Sequence, residues 1–190
     1  MPAVTDGGAR GTFLADSENS CIEGELEVRE ARIADLDAVI SMLEEAARWM
    51  VRRGIEGWTP HSFSRGRIAD LMEGGEMYLA VLDGQPVGTF ALQWEDRETW
   101  GSVPEDAGYV HGLAIRREFA GMGLGREILR RAEQMVSGAK RAYLRLDCVA
   151  HNEALNEYYR RSGFGYRGRA MVRGLAVSLY EKRVGVSGAG

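Results

Sequence analysis

The stretch that decides the fold runs from residue 109 to residue 126 and reads YVHGLAIRREFAGMGLGR. A buried-looking strand leads into a loop with Gly121, Gly123 and Gly125, and an amphipathic helix leaves that loop. Glycines there let successive backbone N–H groups approach one anion, and the positive end of the helix dipole adds to the attraction. The strand–loop–helix order therefore favours a pyrophosphate cradle over a plain tight turn.

Two other glycine-rich phosphate loops do not fit this stretch. The dinucleotide fingerprint G-x-G-x-x-G would require glycine at Arg126 or at Ile128. A P-loop requires a Gly-Lys-Ser/Thr triplet, which the sequence lacks. The loop is therefore expected to bind a phosphate-containing ligand through a motif other than these two.

Outward from this loop, hydrophobic periodicity predicts the order β-α-α-β-β-β-α-β-α-β-β. Helices are predicted to begin after Asp35, near residue 61, after Gly125 and after Asn152. The predicted strands cover residues 25–33, 77–82, 87–94, 109–115, 142–149, 164–167 and 175–181. The expected fold is α/β (α+β): a mixed central sheet of six to seven strands flanked by four helices, antiparallel early and with parallel crossover units later.

Composition excludes several classes of protein. The 24 Lys+Arg and 28 Asp+Glu give a net charge of −4, without the basic excess that neutralises nucleic-acid phosphates. No stretch approaches the roughly 20 apolar residues of a membrane helix. Cys21 and Cys148 offer neither metal-ligand spacing nor a disulfide framework, and the N-terminus lacks a signal-peptide pattern. We expect a cytoplasmic protein without nucleic acid, membrane or metal as partner.

One folded domain is expected over residues 25–183. Residues 1–24 and 184–190 are rich in small and polar residues without sustained periodicity, so they are expected to be flexible tails.

Two motifs together resemble the GNAT N-acetyltransferases. In that family a strand ending in Leu-Ala-Val precedes the loop Arg/Gln-x-x-Gly-x-Gly/Ala, and a second motif places Asn, a Tyr seven residues later, and then Gly-Phe. The corresponding residues are Leu113-Ala114-Ile115, the loop from Ala120 to Gly125, and Asn152, Tyr159, Gly163 and Phe164. The resemblance spans residues 25–183 and is specific over 109–164. Ala120 departs from the family pattern, so backbone amides and Arg126 must hold the phosphates.

The resemblance implies a GNAT-like fold and acetyl-CoA as co-substrate. It implies direct attack on the thioester by a primary amine of a small molecule or peptide. The family also forms dimers through its last strands, so a homodimer is one expected assembly. The residues implied to bind acetyl-CoA are Leu113, Ala114, Ile115, Gly121, Met122, Gly123, Leu124, Gly125, Arg126, Asn152 and Tyr159.

Two residues are predicted to be catalytic. Tyr159 is the predicted acid, because its family counterpart lies beside the CoA sulfur and a phenol can protonate a thiolate. His111 is the predicted base: strand alternation places it on the face of Leu113, an imidazole accepts protons near neutrality, and the aralkylamine branch of the family has a His at this register. A hydrogen-bonded core histidine is the alternative, with Glu95 or Asp96 acting through water.

The acceptor amine is predicted to lie against Trp49, Trp58, Trp94 and Glu95, since aromatic rings and carboxylates hold cations. Trp49 and Trp58 could instead cap the core. Two other functions stay open: a non-catalytic acyl-CoA-binding or sensing module, which Ala120 supports, and an acyltransferase for a longer acyl-CoA.

Overall fold

The computed structural model describes residues 24–185, and the elements below are those of this range. The strands are β1 (Leu26–Glu30), β2 (Met77–Leu82), β3 (Gln85–Gln93), β4 (Ala107–Ile115), β5 (Tyr143–Val149), β6 (Gly165–Val172) and β7 (Leu175–Arg183). The helices are α1 (Leu36–Arg52), α2 (Arg65–Glu73), α3 (Arg97–Trp100), α4 (Leu124–Gly138) and α5 (Glu153–Arg161). In this part of the chain, no helix is long and apolar enough to cross a membrane.

The predicted order of strands and long helices is confirmed, with local differences. The single turn α3 lies within the expected polar loop, because Asp96 caps it by accepting from the Thr99 amide at 3.0 Å. Helix α2 begins at Arg65 rather than near residue 61, because the Ser64 hydroxyl caps it there. Most of the two expected tails lies outside the described residues.

Val184 corrects the expected C-terminal boundary. It was assigned to a flexible tail, yet its side chain is buried and its amide donates to the Ala142 carbonyl at 2.9 Å. A single apolar residue after a charged strand end carries no periodicity, so its burial was not predictable from pattern.

The sheet has the order β1-β2-β3-β4-β5-β7-β6. Strands β4 and β5 run parallel, joined through α4, and each other neighbouring pair is antiparallel. Strand β7 lies between β5 and β6, so the connection through α5 does not create a second parallel pair. The expected parallel crossovers therefore reduce to one adjacent pair.

The parallel pair β4–β5 separates halfway along. Its register runs from Ala107 opposite Tyr143 to Val110 opposite Leu146, and beyond that point the strands are not paired to each other. The unpaired second half of β4 ends at Ile115, just before the glycine loop. A wedge-shaped opening, the splay, therefore leads from the centre of the sheet towards the start of α4.

The two faces of the sheet carry separate apolar cores. Helices α4 and α5 cover one face, where Ile128, Leu129 and Tyr158 pack on Phe90 and Val110. Helices α1 and α2 cover the other face; its buried residues include Val39, Leu43, Ile68, Leu79, Ala91 and Ala114. The splay opens between these two layers, so a ligand inserted there meets residues from both.

Candidate active site

The glycine loop leaves several backbone amides without acceptors at the start of α4. Gly121 and Gly123 have φ of +86° and +77°, a left-handed conformation that glycine adopts at little cost, and Gly123 is the N-terminal cap residue of α4. Within residues 24–185, no hydrogen-bond acceptor is placed on the amides of Gly121, Gly123, Leu124 and Gly125. These four N–H groups, with the helix dipole behind them, are able to act together as a cradle for an anion.

Two amides of the predicted cradle are engaged elsewhere. The Met122 amide donates to the Phe119 carbonyl at 3.4 Å, and the Arg126 amide donates to the Gly123 carbonyl at 3.1 Å. The Arg126 side chain remains exposed beside the loop. The amides available to an anion are therefore those of the three glycines and Leu124, and Arg126 could contribute its charge but not its amide.

The arginines before the loop attach it to α1. The Arg117 amide donates to Glu45 at 3.1 Å, and the Arg116 guanidinium lies 3.6 Å from the same carboxylate. The Arg117 guanidinium also lies 4.4 Å from the centre of the Trp49 ring, which is 8% exposed. Trp49 is therefore covered, as expected of a residue that caps the core.

A β-bulge on β4 corrects the expected orientation of His111. Thr89 lies opposite Ala114 and Ala91 lies opposite His111, so Gly112 and Leu113 share one position of β3. Gly112 absorbs the extra residue with φ of +60°. Leu113 consequently packs towards α4, whereas His111 turns to the opposite face. The expectation that they share a face was wrong because simple alternation fails across a bulge.

His111 lies at the vertex of the splay between two carboxylates. It directly follows Val110, the last residue of β4 paired with β5, and Asp147 occupies the equivalent position on β5. The His111 Nε2 atom lies 3.5 Å from Asp96 Oδ2, and Nδ1 lies 4.0 Å from Asp147 Oδ1. The nearest donor atoms of the three residues all lie within 4.8 Å of one another, compact enough to hold a proton or a small cation.

The two carboxylates differ in environment. The Asp96 side chain is 8% exposed and that of Asp147 is 23% exposed. Burial raises the pKa of the Asp147 carboxyl; the nearby His111 opposes this shift and the charge of Asp96 adds to it. Glu95 is exposed and pairs with Arg97 at 3.2 Å, so the structure brings Asp96 rather than Glu95 to His111.

Asp147 was missed by the sequence analysis although a signal existed. Arg145 and Asp147 are charged residues at alternate positions of an otherwise apolar strand, Tyr143–Val149. Such a pattern indicates a polar stripe on one face. Its proximity to His111 depends on the register of β4 with β5, which sequence periodicity does not supply.

Tyr159 lies on the α4 side of the splay. It is 6% exposed, with its ring centre 5.9 Å from that of Phe164 and 5.8 Å from that of Tyr180. Burial raises its pKa well above the ordinary value, and Cys148, Tyr158 and Asp147 add to the shift. The phenol is therefore held in its protonated form, close in space to the end of β5.

Asn152 has a structural task in addition to any contact with a ligand. Its side-chain oxygen accepts from the Leu155 amide at 3.1 Å and caps α5. Asn156, which sequence reasoning missed, donates to the carbonyl of Asn152 at 2.8 Å and to that of Val149 at 3.1 Å. It also accepts from the Tyr180 hydroxyl at 2.9 Å. These bonds attach α5, and hence Tyr159, to the end of β5.

The aromatic residues expected around the acceptor are not brought together. Trp58 packs edge-on against Phe63 at 5.2 Å on the α2 side. Trp94 packs in the core on the α4 side, with the Arg141 guanidinium 5.2 Å from its ring. Trp94 is thus separated from His111 by the sheet, and the four predicted acceptor residues do not form one wall.

Comparison with known proteins identifies the class. Residues 41–164 match the Acetyltransferase (GNAT) family. The uncharacterized N-acetyltransferase YesJ of Bacillus subtilis is 31% identical over 177 residues, covering 88% of this chain and 95% of that protein. The crystal structure of a GNAT-family acetyltransferase from Listeria monocytogenes superposes with a TM-score of 0.72 at 28% identity, covering 83% of this chain and 94% of that one.

A more distant structure shares the fold. The PaiA N-acetyltransferase of Thermoplasma acidophilum, solved in complex with coenzyme A, has a TM-score of 0.67 at 18% identity and covers 84% of this chain and 99% of that one. The family match and the 31% identical relative together place the chain in the class of acetyltransferases. The chain belongs to the GNAT acetyltransferase family, as its two motifs indicated, and is an acetyl-CoA-dependent N-acetyltransferase.

Proposed function

We propose that this enzyme acetylates a primary amine of a small molecule or peptide at the vertex of the splay, between His111 and Tyr159. The observation that carries the proposal is the alignment of three features along one path. The cradle amides lie at the outer end, the unpaired half of β4 lies along the path, and the Asp96–His111–Asp147 cluster lies at its inner end. An extended ligand with an anionic diphosphate and a reactive far end matches this path.

In this proposal the chain binds the diphosphate through the amides of Gly121, Gly123, Leu124 and Gly125. Four converging N–H groups at a helix N-terminus stabilise a dianion without a cationic side chain, which compensates for Ala120. The backbone of β4 from Leu113 to Ile115 faces the splay without a partner on β5. Its N–H and C=O groups are therefore free to form hydrogen bonds with the amide-containing arm of acetyl-CoA. The N–H of Leu113 or Ala114 donates to the oxyanion.

His111 is the proposed general base. It removes a proton from the ammonium form of the acceptor, and the neutral amine then attacks the thioester carbonyl carbon. The tetrahedral adduct collapses with cleavage of the C–S bond, and the departing thiolate takes the phenol proton of Tyr159. The proton that the adduct nitrogen must still lose to become a neutral amide restores that phenol, and the proton held by His111 passes to solvent. The carboxylates of Asp96 and Asp147 favour a cationic acceptor and stabilise the imidazolium that forms.

Tyr159 is the proposed acid for the departing thiolate. In water a phenol is a poor proton donor to a thiolate, because an ordinary thiol is the stronger acid. Burial raises the pKa of the Tyr159 phenol further. Burial also raises the pKa of the neighbouring Cys148 thiol to about 12, so the apolar surroundings at the end of β5 make a thiolate more basic as well as the phenol less acidic. In this proposal the departing thiolate takes the phenol proton within these surroundings.

A cytoplasmic location, action without metal or nucleic acid, and a homodimer complete the proposal. These parts rest on the sequence alone: its net charge of −4, its cysteine usage and the family resemblance.

Thermal shift with acetyl-CoA, followed by detection of free thiol, tests the proposal. Tryptamine, a polyamine, an amino acid and a lysine peptide serve as acceptors. We expect acetyl-CoA to raise Tm and at least one amine to release thiol. Tyr159→Phe should lower kcat by about 10²-fold to 10⁴-fold, whereas the matched control Tyr158→Phe, one residue earlier on α5, should not lower it comparably.

Three other results would redirect the proposal. Absence of stabilisation by acetyl-CoA would contradict the cradle. Stabilisation without thiol release from any amine would favour the binding module. Faster thiol release from a longer acyl-CoA than from acetyl-CoA would favour the alternative acyl donor.

A further inference from the structure

We propose that Asp96 is a positioning residue that holds the Nε2–H tautomer of His111 and thereby makes Nδ1 the atom that accepts the acceptor's proton. This inference rests on the proposed role of His111 as base. It assigns different tasks to the two carboxylates of the cluster. Asp96 orients the ring from its buried side, and Asp147 receives the ammonium on its open side.

The two nitrogens of His111 have unlike surroundings. Nε2 is buried, has no hydrogen-bond partner among the described residues, and faces Asp96 Oδ2 at 3.5 Å. The side chain nevertheless keeps 28% of its surface exposed, and Nδ1, which is not among the buried atoms without partners, faces Asp147 Oδ1 at 4.0 Å. A neutral imidazole carries one proton, and a carboxylate beside one nitrogen keeps the proton there. The Nδ1 lone pair then faces the splay.

Asp96 is held in a way that suits an orienting group. Its Oδ1 atom accepts from the Thr99 amide at 3.0 Å, so capping α3 fixes the carboxylate while Oδ2 remains free to face His111. Oδ2 is buried and has no hydrogen-bond partner among residues 24–185. A buried, unpartnered carboxylate oxygen is costly unless a donor reaches it. His111 Nε2, which is 3.5 Å away and likewise buried without a partner, is a donor within reach of this oxygen after a small shift of either side chain.

Helix α3 is attached at both ends, which explains how one turn of helix can present Asp96 precisely enough. Glu98 makes two hydrogen bonds of 3.0 Å with Arg173, in the turn between β6 and β7. Trp100 lies 5.2 Å from the guanidinium of buried Arg145, which also bonds the Tyr109 hydroxyl at 2.8 Å. A short helix held this way supports Asp96, the cap residue that precedes it.

The charges that face His111 come from three elements. Asp96 precedes α3, Asp147 is on β5, and Glu98 is on α3, where Arg173 neutralises it. Asp147 is therefore the unneutralised charge on the open side of the ring. The 4.0 Å between Nδ1 and Asp147 Oδ1 is too long for a direct hydrogen bond, yet an ammonium nitrogen placed between them can contact both.

Asp96→Asn separates positioning from folding. Asparagine caps a helix as well as aspartate, so α3 should remain in place. Its NH₂ group can donate to Nε2, however, which favours the Nδ1–H tautomer and removes the lone pair from the open side. We expect kcat to fall by about 10²-fold to 10⁴-fold, as when a catalytic imidazole is held in the wrong tautomer, while KM for acetyl-CoA and Tm stay near wild type.

Asp147→Asn is the matched control, because it makes the same change on the other side of the ring. It should raise KM for the amine that gave thiol release and leave the tautomer unchanged. The ¹⁵N NMR spectrum of labelled His111 reads the tautomer directly: Nε2–H in the wild type and in Asp147→Asn, and Nδ1–H in Asp96→Asn.

The outcomes are distinct. An Nδ1–H tautomer in the wild-type protein would overturn the inference, and this measurement needs no variant to fold. Wild-type kcat in a folded Asp96→Asn enzyme would overturn it too. Full activity in a His111→Gln variant would instead remove the proposed base, and the wild-type tautomer would still report whether Asp96 orients the ring.

Discussion

At the scale of single residues, Gly112 determines on which faces of β4 His111 and Leu113 lie. Its φ of +60° accommodates the bulge on β4, so that His111 faces Asp147 while Leu113 packs towards α4. A residue with a Cβ adopts this conformation at a cost of about 1–2 kcal/mol. The placement of His111 therefore depends on the backbone conformation of a residue that has no side chain.

Asp147 connects the site to the stability of the fold. Because burial raises its pKa above 3.8, the native protein keeps this proton over a pH range where the unfolded chain has released it. The native state then binds more protons, so this group lowers the free energy of unfolding as pH rises from about 4 through the native pKa. At neutral pH the Asp147 carboxyl therefore lowers the stability of the folded state.

Asp147→Asn removes this destabilising carboxyl. We expect the variant to unfold at higher temperature than the wild type at neutral pH, with the difference shrinking as pH falls below about 4, where aspartate is neutral in both states. Thermal unfolding followed by circular dichroism across this range measures it. An equal difference at both ends of the range would show that the carboxyl is not destabilised by burial.

At the scale of elements, the start of α4 combines a left-handed backbone conformation with the proposed binding of the diphosphate. Gly123 combines a φ of +77° with the role of N-terminal cap residue, beside amides left without acceptors. Gly123→Ala forces a residue with a Cβ into the left-handed region, at a cost of about 1–2 kcal/mol. If the loop relaxes to avoid that cost, the amides no longer converge.

We expect Gly123→Ala to weaken coenzyme A binding by about tenfold, the equivalent of about 1.4 kcal/mol. Gly138→Ala, at the other end of the same helix, is the control: its Cβ would meet no atom within 4 Å, so affinity should stay unchanged. Isothermal titration with coenzyme A compares the two. Equal affinities in both variants would argue against the cradle.

The elements divide into those that pattern predicts and those that it does not. Strand β2 was predicted with its exact bounds because both ends are marked, and the Asp83–Gly84 turn links it to β3 as expected. Helix α3 was not predicted, since one turn has no periodicity and its stability comes from Arg145 and Arg173, distant in sequence. Sequence patterns therefore predict elements that local residues define, but not elements held by residues distant in sequence.

At the scale of the whole molecule, the proposed active site is assembled from segments that only the sheet brings together. Asp96 follows β3, His111 is on β4 and Asp147 is on β5, and the register of these strands places them at the vertex. Sequence motifs could predict the glycine loop and Tyr159 as site residues because each motif lies within one strand–helix segment. The cluster of carboxylates around His111 depends on pairing, which explains why Glu95 was proposed and Asp147 was not.

The most direct test of this account is the pH dependence of thiol release, measured at saturating acetyl-CoA for the wild type and for His111→Gln. If His111 is the base, the wild-type rate should fall on the acid side as imidazole is protonated. The variant should be slower by about 10²-fold to 10⁴-fold and should lack that acid limb. A variant with the wild-type rate and the same pH profile would contradict the account.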